Sequence, residues 1–207
     1  QKYNVPGPRY TSYPTVPYWD ESDFSEEIWA ETLKKSFIET NSSEGISLYI
    51  HLPFCESLCT FCGCNKRITK NHSVENPYIE AVLKEWTLYC KLLGEKPIIK
   101  EIHLGGGTPT FFSTTNLEHL INGIFVHAKK AEEYEFSFEG HPNNTSHDHL
   151  QKLYDLGFKR VSFGVQDYSE KVQKAIHRLQ PFHNVAKVSL WAKEIGYTSI
   201  GHDIIFG

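Results

Sequence analysis

Strand-like and helix-like patterns alternate along this chain, and that alternation restricts the fold more than any other feature. Apolar runs at 46–52, 98–104, 134–139, 159–165 and 198–206 each read as a strand. Helical patterns lie between them. Ile79, Val82, Leu83, Trp86, Cys90 and Leu93 share one face at a period of ~3.6 residues, and Leu117, Leu120, Ile121, Ile124 and Ala128 repeat the spacing. Ser146 is placed to cap a further helix that Gly157 ends, and Gly196 ends the next. Two joints share one plan: Leu156-Gly157-Phe158 and Ile195-Gly196-Tyr197 each lead from helix through glycine and an aromatic into a strand. Strands alternating with helices predict an α/β fold with a parallel sheet and right-handed crossovers, either a (β/α) barrel or an open doubly wound sheet. Both place ligands at the C-terminal ends of the strands. The run Ile204-Ile205-Phe206-Gly207 reads as a buried strand with no covering helix after it. A barrel truncated after about five strands, part of a longer protein, is therefore expected.

Residues 1–45 read differently. Pro6, Pro8, Pro14 and Pro17 impose extended geometry, so an N-terminal arm is expected there, with a short helix near 24–39, ahead of a barrel domain at 46–207. The net charge of −4 carries no basic excess for nucleic acid or an anionic membrane surface. No apolar run approaches the ~20 residues that cross a bilayer, and the start lacks a signal pattern. The 11 histidines are scattered and read mostly as ordinary surface or core residues. Four of the 5 cysteines are clustered, a poor disulfide framework, which points to the reduced cytoplasm. A monomer is expected.

The cluster is CESLCTFCGCNK, residues 55–66. Thiolates favour soft metals. Structural zinc usually takes two separated cysteine pairs, whereas this tight loop follows the first strand directly. Cys55, Cys59 and Cys62 can wrap an iron–sulfur cubane from one side. Three thiolates leave one iron open to a substrate, and four would close it. Iron–sulfur is therefore preferred over zinc or a disulfide. Cys90 lies on an apolar helix face and reads as core. The glycines of GGGTPT (105–110) would let backbone approach a ligand, and Thr108 adds a hydroxyl. The Gly-Lys-Ser/Thr ending of a phosphate loop is absent. Glu139 ends a strand and could accept from a ribose hydroxyl or an ammonium, or serve only as a cap. Asp203 could equally be a satisfied strand carboxylate, Arg178 an exposed helix charge, and Tyr49 and Phe61 core aromatics.

Cys-x3-Cys-x2-Cys with Phe61 before the last cysteine resembles the radical S-adenosylmethionine (SAM) superfamily. GPRYTSYPT (7–15), YIHLPFC (49–55), CGCNK (62–66), GGGTPT, GVQD (164–167) and DIIFG (203–207) resemble its oxygen-independent coproporphyrinogen III dehydrogenase family. The resemblance implies a radical-SAM partial (β/α) barrel. It implies a 4Fe–4S cluster on Cys55, Cys59 and Cys62, with Cys64 as an additional, catalytic thiol and Tyr49 both catalytic and cofactor-binding. Gly106, Gly107, Thr108 and Glu139 fall at SAM-binding positions. Two SAM molecules are implied, the second surrounded by Phe61, Thr108, Gln166, Arg178 and Asp203. The turn Gly140-His141 departs from the acid-bearing form more usual in the family. The implied reaction is oxidative decarboxylation of coproporphyrinogen III to protoporphyrinogen IX by a 5′-deoxyadenosyl radical, with an electron from a reductant such as flavodoxin or ferredoxin. A haem chaperone and a tetrapyrrole methyltransferase of the same superfamily are the alternatives. Arg9, with Lys66 or Arg67, is a further expectation as anchor for a substrate propionate.

Overall fold

The computed structural model describes residues 18–20, 22 and 24–205. The expected alternation is present. Helix α1 (Glu26–Thr40) precedes β1 (Ile46–Leu52); a two-residue ribbon of β2 (Phe54–Cys55) and β3 (Arg67–Ile68) follows, then α2 (Glu75–Leu93) and β4 (Ile98–Gly106). The rest runs α3 (Thr114–His127), β5 (Lys129–Gly140), α4 (His147–Asp155), β6 (Phe158–Gln166), α5 (Glu170–Ala175), α6 (Phe182–Ile195) and β7 (Ser199–Ile204). The main sheet has 5 parallel strands in the order β1-β4-β5-β6-β7. Each strand pairs with the next major strand in the chain, as an unclosed stretch of (β/α) barrel wall does.

The two faces of this wall differ. Leu48, Ile50 and Leu52 of β1, Ile102 and Leu104 of β4, Phe136 and Phe138 of β5, and Val161, Phe163 and Val165 of β6 pack in one hydrophobic core with Ile79, Trp86, Leu117, Leu120, Leu150 and Val188 from the helices. The alternate residues are polar. Register places Tyr49 beside His103 and His103 beside Ser137, and in the next row His51 beside Gly105, and Glu139 beside Ser162. A parallel sheet packed on both faces would be apolar throughout, and the filled interior of an ordinary barrel is built of branched aliphatics. The period-2 polarity here means that helices cover one face and the concave face lines a space for something polar.

β5 starts earlier than its apolar pattern suggests, at Lys129 rather than near 134. Lys129 and Lys130 pair with Ile98 and Ile99, and the register shifts before Glu101 meets Glu135. Backbone pairing at the sheet's lower end recruits these charged residues, whose side chains stay exposed. Ser146 caps α4 as expected, in a reciprocal box with His149. Gly157 and Gly196 end their helices at φ +103° and +107°, a conformation a Cβ disfavours. α1 is fastened to the sheet by Asn41, whose Oδ1 accepts from the Ile98 N–H at 2.8 Å and whose Nδ2 donates to Lys96 O at 3.3 Å. Pro6, Pro8, Pro14, Pro17, Arg9, Phe206 and Gly207 lie outside the described residues.

Candidate functional site at the C-terminal ends of the strands

The cysteine loop is held from several sides. Arg67 N–H donates to Pro53 O at 2.9 Å and Thr69 N–H to Cys55 O at 2.8 Å, so the two ends of the loop are zipped together. Lys66 Nζ donates to Cys62 O at 2.9 Å and to Cys64 O at 3.2 Å. Two of that ammonium's three donors are thereby engaged with the loop's own carbonyls. His51 Nε2 lies 2.7 Å from Asn65 O, and Nδ1 lies 3.1 Å from Tyr49 Oη. A carbonyl only accepts, so Nε2 carries the proton and Tyr49 O–H donates to Nδ1.

The glycine turn after β4 meets this loop. Gly107 N–H donates to Leu52 O and Thr108 N–H to Phe54 O, at 2.9 and 3.0 Å. A Cβ on Gly107 would stand 2.7 Å from both the carbonyl carbon and the oxygen of Pro53. The passing Pro53 backbone of this same chain thus requires glycine here, a reason separate from the ligand approach that the sequence suggested. The positive φ of the turn, +114°, belongs to Gly106, where a Cβ would meet the His51 ring at 2.6 Å. Thr108 Oγ1 lies 3.4 Å from Cys55 Sγ. Burial pushes the Cys55 thiol above its usual range, against the Thr108 hydroxyl, which pulls it down.

Glu139 reaches this turn from β5. Its Oε2 accepts from the Gly106 N–H at 3.3 Å, and its Oε1 lies 3.4 Å from His103 Nε2. His103 Nδ1 is 2.8 Å from Ser137 Oγ, so the ring is fixed to present Nε2–H to the carboxylate. From β6 and beyond come Gln166 and Arg178. Gln166 sits at φ 70° and His177 at φ 54°, left-handed geometry in residues with side chains. Arg178 Nη2 donates to Gly164 O at 2.6 Å, and Nη1 lies 3.5 Å from Cys59 Sγ. Its Nε is buried without an acceptor. Asp203 Oδ1 accepts from Ser162 Oγ at 2.8 Å.

These groups line one cavity of about 710 Å3. Its wall holds Cys55, Cys59, Phe61, Cys62, Cys64, Gly106, Gly107, Thr108, Glu139, Gln166, Arg178 and Asp203. The exception among the expected residues is Tyr49, which lines a neighbouring cavity of about 620 Å3 between α1, β1 and α2. It stacks on His103 at 5.8 Å, close enough to the first cavity that burial and then the charges of Glu139 and Cys64 raise its hydroxyl's pKa. Cys64 is exposed; burial and then Cys62 hold its thiol above the usual range. Leu88, Val126 and other large apolar side chains are exposed elsewhere, whereas Phe61, 44% exposed, is exposed into this cavity.

Sequence reading gave the histidines no site role. His51 and His103 orient the cysteine loop and Glu139, and His141 is part of the cavity wall. Burial, and then the Arg178 charge, lower the His141 pKa to about 3, so its ring is neutral at pH 7. The Asn143 N–H donates to its Nδ1 at 3.1 Å. The period-2 spacing of His51 with Tyr49 across β1 was the available signal, since it places both on the polar face.

A family model described as the Radical SAM superfamily matches residues 49–207. The chain belongs to this superfamily. Membership implies a 4Fe–4S cluster and SAM, and the donor set fits them. Cys55, Cys59 and Cys62 all line the same cavity, and three thiolates can each ligate one iron of such a cluster. The chain is 40% identical to the oxygen-independent coproporphyrinogen III oxidase of Helicobacter pylori, with 100% of this chain matched to 45% of that protein. Identity to the Escherichia coli protein of the same description is 35%, over 100% of this chain and 44% of the relative. The solved structure of coproporphyrinogen III oxidase from Escherichia coli, a radical SAM enzyme, superposes with a TM-score of 0.85 at 34% identity, covering 96% of this chain and 44% of that one. The chain thus spans about half the length of the relatives it matches. Among the described residues no helix is long and apolar enough to cross a membrane.

Proposed function

We propose that this chain belongs to an enzyme that carries out oxygen-independent oxidative decarboxylation of coproporphyrinogen III to protoporphyrinogen IX in haem biosynthesis. The observation that carries this reading is the single cavity whose wall joins Cys55, Cys59 and Cys62 to the glycine turn, Glu139, Gln166, Arg178 and Asp203. The match to coproporphyrinogen III oxidases along the whole chain supports the choice of substrate.

When bound, the cluster and SAM supply one-electron cleavage of SAM, giving the hydrogen-atom acceptor that an unactivated propionate C–H requires. The protein's own groups do the rest. Cys55, Cys59 and Cys62, all on the cavity wall, would hold the cluster. Glu139, fixed by His103 and the Gly106 N–H, accepts from an ammonium or a ribose hydroxyl of SAM. Phe61, Thr108, Gln166, Arg178 and Asp203, which line the same cavity, would hold a second SAM. Arg178 forms no ion pair with a carboxylate among the described residues, and its Nε lacks an acceptor, so it suits a ligand carboxylate. Tyr49 acts from beside the cavity and Cys64, as a protonated thiol, from its wall. Phe61 shields the cavity from water. A small reductant such as flavodoxin or ferredoxin supplies electrons, and the reaction takes place in the cytoplasm, in a monomer whose arm (1–45) precedes its barrel (46–207).

The test is an anaerobic assay of the full-length protein with coproporphyrinogen III, SAM and flavodoxin. Protoporphyrinogen IX and carbon dioxide are expected. A methylated tetrapyrrole, or bound haem without turnover, would replace this reading with another one.

A further inference from the structure

Between β6 and α6 the chain makes an excursion, 167–181, that includes α5 and carries Arg178. Two buried glutamines hold its interior, Gln173 at 6% exposure and Gln180 at 1%. Gln173 Nε2 donates to Asp167 O at 2.8 Å and to Gln180 O at 3.0 Å, and its Oε1 accepts from the Gln180 N–H at 2.9 Å. Gln180 Nε2 donates to Val165 O at 2.6 Å, and Arg178 N–H to Gln173 O at 2.9 Å. The excursion is thereby closed on itself and pinned to the end of β6. Its other side reaches the cysteine loop. Thr60 N–H donates to Ile176 O at 3.1 Å and Thr60 Oγ1 to Ala175 O at 3.3 Å, while Arg178 Nη1 faces Cys59 Sγ.

This arrangement is a poor way to gain stability. Gln180 Oε1 is buried with no donor. An unsatisfied buried acceptor costs about as much as a buried hydrogen bond contributes, so the side chain's net effect on folding is small. What the two glutamines do is set position.

We propose that Gln173 and Gln180 are positioning residues that hold the 167–181 excursion as a brace between β6 and the cysteine loop. The brace sets Arg178 and Thr60 in one fixed register. The cluster loop and the ligand position beside Arg178 are therefore placed together, and loosening one loosens the other. The inference rests on the function proposed above only for the identity of the ligand, SAM.

The test uses Gln180→Met in the full chain, loaded anaerobically with iron and sulfide. Methionine keeps the volume and removes both the donor and the orphaned oxygen. Iron content should match wild type, and the thermal midpoint should move by less than about 4 °C. Without SAM, amide exchange at residues 59–61 should rise about tenfold while the β4 and β5 amides keep their protection. SAM affinity should fall by about tenfold, since small misplacements of a binding group have large effects. Thr60→Val, at an exposed position, cuts one strut from the other side and should shift both readings in the same direction. Unchanged exchange at 59–61 in both variants would overturn the proposal. So would a general rise that includes β4 and β5, because the glutamines would then only hold the fold. Faster exchange at 59–61 in a protein whose wild type binds no SAM would uphold the brace and sink the assignment of its ligand.

Discussion

At the lower end of the sheet, where helices return to strands, the left-handed positions between α4 and β6 and between α6 and β7 are filled by Gly157 and Gly196. At the upper end, where β6 leaves the sheet and α5 gives way to Arg178, the same backbone region is occupied by Gln166 and His177. Glycine adopts this geometry without a steric penalty; a side chain carries a cost of about 1–2 kcal/mol per residue. The lower end minimises strain because its turns only need to turn. At the upper end Gly106 also takes a positive φ, but Gln166 and His177 keep side chains at such positions, and both line the cavity. Such strain at the rim of a cavity is what motivates the hypothesis of a functional site there. Polarity follows the same division: the helix-covered face is apolar, and the concave face presents Tyr49, His51, His103, Ser137 and Glu139.

The largest effect expected at the upper end is loss of the cluster. Alanine at Cys55, Cys59 or Cys62 should each abolish stoichiometric iron and sulfide after anaerobic reconstitution, whereas Cys64→Ala should retain both and lose turnover. Full iron in any of the first three variants would contradict the ligand assignment.

Gly107→Val comes next. A Cβ there would lie 2.7 Å from the Pro53 carbonyl group, backbone that cannot step aside as a side chain would. Destabilisation of about 1–3 kcal/mol is expected by urea unfolding, together with weaker SAM binding. A variant with wild-type stability would return the glycine to a ligand-facing role alone.

His141 makes the upper end sensitive to acid. The folded protein takes up this proton only near pH 3, against 6.5 for an unperturbed histidine. The unfolded chain therefore binds more protons between these values, and stability falls as pH drops from 6.5 towards 3. The loss attributable to this group is about 2 kcal/mol by pH 5. His141→Asn should flatten that part of the stability profile. An unchanged slope would mean that other groups, His149 among them, carry the acid response.

The smallest effects test the comparison directly. Gly157→Ala should cost about 1–3 kcal/mol and leave SAM affinity intact. Gln166→Gly should leave stability unchanged or raise it by up to about 1 kcal/mol, yet weaken SAM binding. If Gln166→Gly binds SAM normally, strain at the upper end has no link to the ligand.

Much of the site was legible because its chemistry demands rare residues at short range. Three thiols at x3 and x2 spacing, a glycine run after a strand and a carboxylate at a strand end each announce themselves in a few residues. The structure brings every expected site residue but Tyr49 to one cavity wall. What escaped was long-range. Nothing local marks Asn41 as the tie between α1 and β4, since its partners Lys96 and Ile98 are more than 50 residues away. Lys129 and Lys130 enter β5 through backbone pairing, which carries no side-chain signature. The roles of His51, His103 and His141 depend on which groups the register sets beside them.

The sequence by itself determined the alternation of strands and helices, because a hydrophobic face must recur at the period of the element that buries it. It likewise determined the capping of α4 at Ser146 and the glycine joints, because these are contacts within a few residues. Only the tertiary structure decided that Gly107 is needed for the approach of Pro53, that Lys66 is committed to the cysteine loop, and that Arg178 stands over Cys59. Each of these depends on where a distant segment passes, which the sheet register and the 167–181 excursion set and no local pattern encodes.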